Sequence, residues 1–255
     1  MKLFYLITFF ILGTFFGSFY TVIGLRLPKH LSFIKGRSHC DKCGHELSLL
    51  DMVPFISYIA LRGKCRYCHN SISPTSTYME LFCGILFALA YYAFGFHYEL
   101  LIALGIISLL IILSVSDLTY LVIPDEVLIF FSGYFIIVNT LNHGVRYAIM
   151  YILSGFLLFS IMYIIMLLGN FIFKKETLGG GDIKLMFVIG LVLHPFFGLV
   201  LIFIASFIAL PVSFILFYRK KQNLIPFGPF LLISFMLIYF TKIDINMVID
   251  FIRGI

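Results

Sequence analysis

Of the 255 residues, 62% are hydrophobic, 18% aromatic and only 12% charged, and the mean hydropathy is +1.08; a soluble chain carries roughly a quarter charged residues, so a water-soluble globular domain is excluded. The charges sit in clusters between long uncharged runs, and nothing alternates over the ~10-residue segments of a membrane β-barrel, which leaves a polytopic α-helical membrane protein. The formal net charge of +6 invites a nucleic-acid reading, but the basic residues must first be placed relative to the membrane.

Uncharged runs suited to a hydrocarbon core of roughly 30 Å predict helices near 3–25, 78–96, 98–116, 127–142, 148–173, 183–194, 196–217 and 224–241. The first follows Lys2, is too long for a signal-peptide apolar region and ends in Leu25-Arg26-Leu27-Pro28 without a small-residue cleavage site, so it reads as a retained helix. Residues 26–77 form a polar insertion too small to bury much core by itself. The run 183–194 is short at about 1.5 Å per residue, and His194-Pro195 interrupts it; one bent element over 183–217 is the alternative to two helices.

Eight spans with the N-terminus outside put 26–77, 117–126, 174–182 and the stretch near 219–223 in the cytoplasm. Arg26, Lys29, Lys35, Arg37, Lys42, Arg62, Lys64, Arg66, Lys174, Lys175, Lys184, Arg219, Lys220 and Lys221 then lie inside, 14 of the 18 basic residues, against Lys2, Arg146, Lys242 and Arg253 outside. That asymmetry obeys the positive-inside rule, and it explains most of the positive charge without nucleic acid.

Within the insertion stand Cys40-Asp41-Lys42-Cys43 and Cys65-Arg66-Tyr67-Cys68, two C-x-x-C pairs separated by 21 residues. Each pair can place two thiolates on one tetrahedral metal through a tight turn, for which Gly44 is suited. Structural zinc on Cys40, Cys43, Cys65 and Cys68 is the favoured reading in a reducing cytoplasm, with free thiols or a redox pair as the alternative. His39, His45 and His69 read as surface histidines beside a tetrahedron already filled, and Cys83 as a packing residue in an apolar helix.

Two aspartates stand at helix ends on the same predicted face. Asp117 ends the third run and precedes Ile123-Pro124-Asp125; Asp182 opens the sixth in Gly179-Gly180-Gly181-Asp182-Ile183-Lys184. Each alone is compatible with a solvated helix end, and Asp182 with an N-terminal cap. Together they fit aspartic-protease logic, in which one carboxyl group keeps a proton while the other deprotonates water. Their separation of 65 residues does not by itself bring them together. Gly179, Gly180 and Gly181 leave room for a substrate backbone or form a flexible loop. Lys184 suits either a role orienting Asp182 or a substrate carbonyl or that of a boundary lysine, Glu80 either a functional, substrate-binding carboxylate or interfacial snorkelling or an ion pair with a loop arginine, and Asp125 the cap of the fourth helix.

These residues, in this order, resemble the bacterial type IV prepilin leader peptidases over nearly the whole chain. The resemblance rests on Gly17-Ser18-Phe19 through Arg26-Leu27-Pro28, the two C-x-x-C pairs with Leu61-Arg62-Gly63-Lys64-Cys65, the aspartate ahead of Ile-Pro-Asp, Gly-Gly-Gly-Asp-Ile-Lys-Leu, and Ile225-Pro226-Phe227-Gly228-Pro229-Phe230. It implies that Asp117 and Asp182 are catalytic, and that the reaction is cytoplasmic-side cleavage of a short basic leader from prepilin or pseudopilin substrates just before their hydrophobic helix. It also implies, in many members, methylation of the new N-terminal residue with S-adenosylmethionine, associated with the cysteine loop. Thr21 departs from the family's frequent Asn, and Thr75-Ser76-Thr77 from an Arg-Tyr-Pro stretch before the glutamate matched by Glu80.

The expected fold is thus all-α, a transmembrane bundle of about eight helices with a small cytoplasmic zinc-knuckle loop. Its segments are 1–25 (first transmembrane helix), 26–77 (tetracysteine loop) and 78–255 (peptidase helices). The expected place is the bacterial inner membrane, with lipid as a partner and no nucleic acid. A proton- or ion-coupled transporter is the rival class, disfavoured by sparse midplane charge; a membrane-anchored zinc module without chemistry leaves the eight helices unexplained.

Overall fold

Inside a hydrocarbon layer a backbone N–H or C=O has no water to turn to, so an apolar run closes its hydrogen bonds internally as a helix. Each of the eight apolar runs contains one in the computed structural model, which describes residues 1–33, 39–40, 42–220 and 226–243. In chain order the helices are α1 (Lys2–Arg26), the short α2 (Ile56–Ala60), α3 (Thr75–Phe94), α4 (Tyr98–Tyr120), α5 (Asp125–His143), α6 (Val145–Phe173), α7 (Gly180–Gly190), α8 (Pro195–Lys220) and α9 (Gly228–Thr241). No strand occurs among the described residues, only isolated bridges between His39 and Glu46 and between Lys64 and Ser71. Lys35, Arg37, Lys221 and Arg253 of the charge tally, and Ile225 of the last motif, lie outside the described residues.

Among the described residues five stretches are long and apolar enough to cross a membrane: Lys2–Lys29, Thr75–Phe94, Tyr98–Tyr120, Val145–Phe173 and Pro195–Ile215. They expose large apolar side chains such as Phe4, Ile11 and Phe15 on α1 and Ile149, Leu153 and Phe156 on α6. Such faces belong against lipid, and the chain is a multi-pass membrane protein.

Packing divides the chain into Met1–Phe96 and His97–Ile255. In the first unit α1 lies on α3, so the helix beginning at Thr75 packs with the N-terminal helix. Small residues make that approach possible: a Cβ on Gly17 would sit 2.8 Å from Cys83 Cβ and 3.0 Å from Glu80 Cα. Lipid tails are as apolar as leucine, so membrane helices associate through such close backbone contact rather than through the hydrophobic effect. Cys83, fully buried here, is a packing residue.

In the second unit α4 is the axis, buried along most of its length and packed against α5 and α9. Packed against α5, α6, α8 and α9, α7 is only 11 residues long, about 17 Å at 1.5 Å per residue, and it stops at Gly190. Residues 191–194 turn before Pro195 opens α8, so the short sixth run and α8 are two helices. A break inside a bundle frees carbonyl groups that must find partners. The buried Asn139 side chain donates to Leu191 O at 2.8 Å, and the buried Ser154 hydroxyl to Leu193 O at 2.8 Å. The fold can therefore hold a half-helix whose first turn carries Asp182.

Candidate active site and metal centre

The end of α4 is shaped by its own sequence. Leu121 adopts φ 56° and its N–H reaches Asp117 O at 2.9 Å, while the buried Ser116 hydroxyl donates to Val122 O. The chain turns sharply and enters Ile123-Pro124 in extended form, and α5 begins at Asp125 with Pro124 as its N-cap. On the other side Gly179, not Asp182, is the N-cap of α7; Asp182 is the third residue of the helix, and its N–H bonds Gly179 O at 3.2 Å. A carboxylate in the first turn still gains from the helix dipole.

Asp117 and Asp182 are both buried, 6% and 7% exposed. A Cβ placed on Gly228, the first residue of α9, would lie 3.0 Å from Asp117 Oδ2 and 3.5 Å from Asp182 Oδ1. The two carboxyl groups therefore face one small space, at most those two distances apart. These same two oxygens have no hydrogen-bond partner among the described residues. Buried polar atoms in native folds are nearly always satisfied, so a pair of orphaned carboxyl oxygens aimed at one gap is a reactive arrangement.

The three glycines differ. Gly179 lies against Asp182, where a Cβ would be 3.3 Å from Oδ2; Gly180 faces open space; Gly181 packs on Ile123, where a Cβ would be 2.7 Å from the isoleucine Cβ. Lys184 is not beside Asp182. Its Nζ takes Asp125 Oδ2 at 2.7 Å, with both side chains about half exposed. Sequence reasoning missed Gly228 and Ile123 as neighbours of the pair. The signal available was the Ile-Pro-Phe-Gly-Pro-Phe stretch, whose glycine and prolines mark a sharply defined helix start.

The four cysteines of the first unit converge. All their Sγ atoms lie within 4.8 Å of one another, and Cys40 Sγ is 3.9 Å from Cys68 Sγ. Zinc–sulfur bonds of about 2.3 Å in a tetrahedron separate sulfurs by roughly 3.8 Å, so the donor set fits zinc. Each half is built alike. Gly44 N–H bonds Cys40 O at 2.8 Å and Cys40 N–H bonds His45 O at 3.0 Å; His69 N–H bonds Cys65 O at 3.0 Å and Cys65 N–H bonds Asn70 O at 2.9 Å. Gly44 and His69 occupy the same left-handed position, at φ 70° and 56°, so His69 serves the turn, while His45 packs on the Tyr67 ring. The Cys43 and Lys42 N–H groups hold the Cys40 thiol down to about 6, while the adjoining Cys43 thiol is pushed up to about 11, so the pair shares its proton with the thiolate on Cys40.

Glu80 is 7% exposed on α3 and accepts the Phe55 N–H at 2.9 Å. Phe55 sits at φ 61°, ψ −47°, in a three-residue turn closed from Ile56 N–H to Pro54 O at 2.6 Å. That turn type is rare and strained, and Glu80 pins it. Beside it opens a cavity of about 250 Å³ whose lining includes Ser18, Asp51, Tyr58, Arg66 and Glu80; Arg66 pairs with Asp51 at 2.8 Å.

Comparison with known proteins divides the chain where packing does. The Bacterial Peptidase A24 N-terminal domain matches residues 11–94 and the Type IV leader peptidase family matches residues 104–214. The chain is 38% identical over 186 residues to a prepilin leader peptidase/N-methyltransferase of Bacillus subtilis, covering 72% of each chain. It is 32% identical to the protein of that name from Vibrio cholerae, covering 94% of this chain and 98% of that one. With its counterpart from Neisseria gonorrhoeae the identity is 27%, over 90% of this chain and 88% of the other. No solved structure matches. A buried pair of facing aspartates on a membrane helical frame, a tetracysteine loop and relatives matching to nearly full length lead to one conclusion: the chain belongs to the type IV leader peptidase family.

Proposed function

We propose that the protein is a membrane aspartic endopeptidase that removes the leader peptide from prepilin or pseudopilin substrates at the cytoplasmic face of the bacterial inner membrane. The observation carrying this reading is the meeting of two unpartnered, buried carboxyl oxygens, Asp117 Oδ2 and Asp182 Oδ1, at Gly228. A water between them gives a proton to the ionised carboxyl group and attacks the scissile carbonyl carbon. The protonated carboxyl group donates to the carbonyl oxygen, and the tetrahedral intermediate collapses as the C–N bond breaks and the leaving amine takes a proton. Positioned acid–base groups of this kind contribute a factor of about 10² to 10⁴ each. The basic residues counted toward the inside support a cytoplasmic site.

In this reading the backbone at Gly179, Gly180 and Gly181 admits the substrate strand beside Asp182, Gly180 being open. Lys184 stands with Asp125 at the rim of a cavity of about 480 Å³ lined by apolar residues including Leu128, Phe156 and Phe187. Such a surface suits the hydrophobic helix that follows the scissile bond. The transporter reading is not supported: the relatives are peptidases by name, and both aspartates stand in terminal turns of their helices.

The relatives' names carry a second reaction, and we assign it to the unit Met1–Phe96. S-adenosylmethionine supplies an electrophilic methyl group for the new N-terminal amine. The cavity beside Glu80 fits its amino-acid end, with a guanidinium from Arg66 for a carboxylate and carboxylates from Glu80 and Asp51 for an ammonium. Zinc on Cys40, Cys43, Cys65 and Cys68 is structural, folding a loop too small to hold itself. The test is incubation with a prepilin-type substrate, with and without S-adenosylmethionine, read by mass spectrometry. Leader loss in both arms and a 14-dalton gain (about one CH₂) in one is the expected result; an intact leader in both refutes the reading.

A further inference from the structure

Gly228 opens α9 outside the left-handed region of backbone space, so its conformation does not call for glycine. A buried helix start with ordinary dihedrals accepts alanine, which forms helices better. What excludes a side chain is what surrounds the Cα. The point a Cβ would take is 3.0 Å from Asp117 Oδ2, 3.5 Å from Asp182 Oδ1 and 3.1 Å from Ile123 Cδ1. The isoleucine methyl ends a flexible side chain and can yield; the two carboxyl oxygens belong to the reacting pair.

The hydrogen bonds of the first turn point the same way. Among the first four residues of α9, Pro229 has no N–H, and the N–H groups of Phe230 and Leu231 both bond Phe227 O, at 3.0 and 3.2 Å. Only Gly228 keeps a donor outside the helix ladder, at the helix start that borders Asp117 Oδ2. The positive end of a 14-residue helix therefore meets a nine-tenths-buried carboxyl group with one oxygen unpartnered.

We propose that Gly228 is a positioning residue of the peptidase: its bare Cα keeps open the space between Asp117 and Asp182 in which the attacking water sits. This rests on the aspartic peptidase reading above. A methyl group at this position displaces the water without touching the surfaces that hold the rest of the substrate, so the cost falls on turnover rather than on binding.

The experiment compares steady-state leader cleavage by the full-length protein in detergent or liposomes for the wild type, Asp117→Asn, Gly228→Ala, Ile123→Ala and the Ile123→Ala/Gly228→Ala double variant. Gly228→Ala is expected to lower kcat about a hundredfold, the scale of a misplacement of about 1 Å at a reacting centre, with KM within about threefold of the wild type. Ile123→Ala removes the nearest crowding that does not come from a carboxylate, and it is expected to cleave within about tenfold of the wild type. The double variant, relieved of that clash, folds at least as well yet stays as slow as Gly228→Ala. A double variant cleaving at the rate of Ile123→Ala overturns the proposal. Asp117→Asn separates the two levels of argument: if it cleaves normally, the peptidase assignment falls and this inference with it, whereas an inactive Asp117→Asn beside a fully active Gly228→Ala removes the glycine assignment alone.

Discussion

Lys184 Nζ lies 2.7 Å from Asp125 Oδ2 and 2.8 Å from Oδ1, joining the second turn of α7 to the first turn of α5. Asp182 is two residues before the lysine and Ile123, which packs on Gly181, two before the aspartate. The ion pair therefore braces the two segments that border the aspartate pair.

Half-exposed pairs contribute little, about 0.2–1 kcal/mol, so the expected effect is small and specific. Lys184→Met or Asp125→Asn lowers kcat for leader cleavage roughly two- to fivefold on that scale. The reversal Asp125→Lys with Lys184→Asp recovers most of the loss. Single variants indistinguishable from the wild type in steady-state kinetics would show that the brace is idle.

The break between α7 and α8 yields a stability prediction. Asn139→Leu and Ser154→Ala each strand a buried carbonyl, at Leu191 and Leu193. Each is expected to cost about 1 kcal/mol. Thermal unfolding in detergent should register both losses, and Asn139→Leu should also lower cleavage because α7 carries Asp182. Unchanged unfolding midpoints would mean that the break is satisfied in another way.

Removal of metal separates the two units functionally. Cys40→Ser should reduce bound zinc, measured by elemental analysis, from about one per chain towards none, and should open the loop to proteolysis. Methyl transfer is expected to fall with it while leader cleavage persists, since the aspartate pair lies wholly in the unit His97–Ile255. Purified wild-type protein without zinc would end the tetracysteine assignment.

How far these features were legible in the sequence follows from their range. The apolar runs gave the helices because each satisfies its own backbone locally, whereas His194-Pro195 left open two helices or one bent element, and the turn over 191–194 makes them two. Paired C-x-x-C spacing is likewise local, and the cysteines do converge. The meeting of Asp117 and Asp182 across 65 residues is a tertiary fact, carried by α4, α7 and α9 packing together. Capping positions depend on backbone angles, and so Gly179 and Pro124, rather than Asp182 and Asp125, proved to be the N-caps. The partner of Lys184 was hidden because a boundary lysine has several carboxylates in reach until helix rotation selects one. Gly228 was visible only as part of a motif, since the emptiness it provides is a property of its neighbours.

The most direct test of the account is leader cleavage by Asp117→Asn and Asp182→Asn, each purified from membranes and shown by unfolding to be intact. Mass spectrometry of a prepilin-type substrate should find the leader still attached after incubation with either variant, while methyl transfer to a substrate already cleaved continues. Cleavage at the wild-type site and rate by either protein would contradict the central claim that these two carboxyl groups act together on one water.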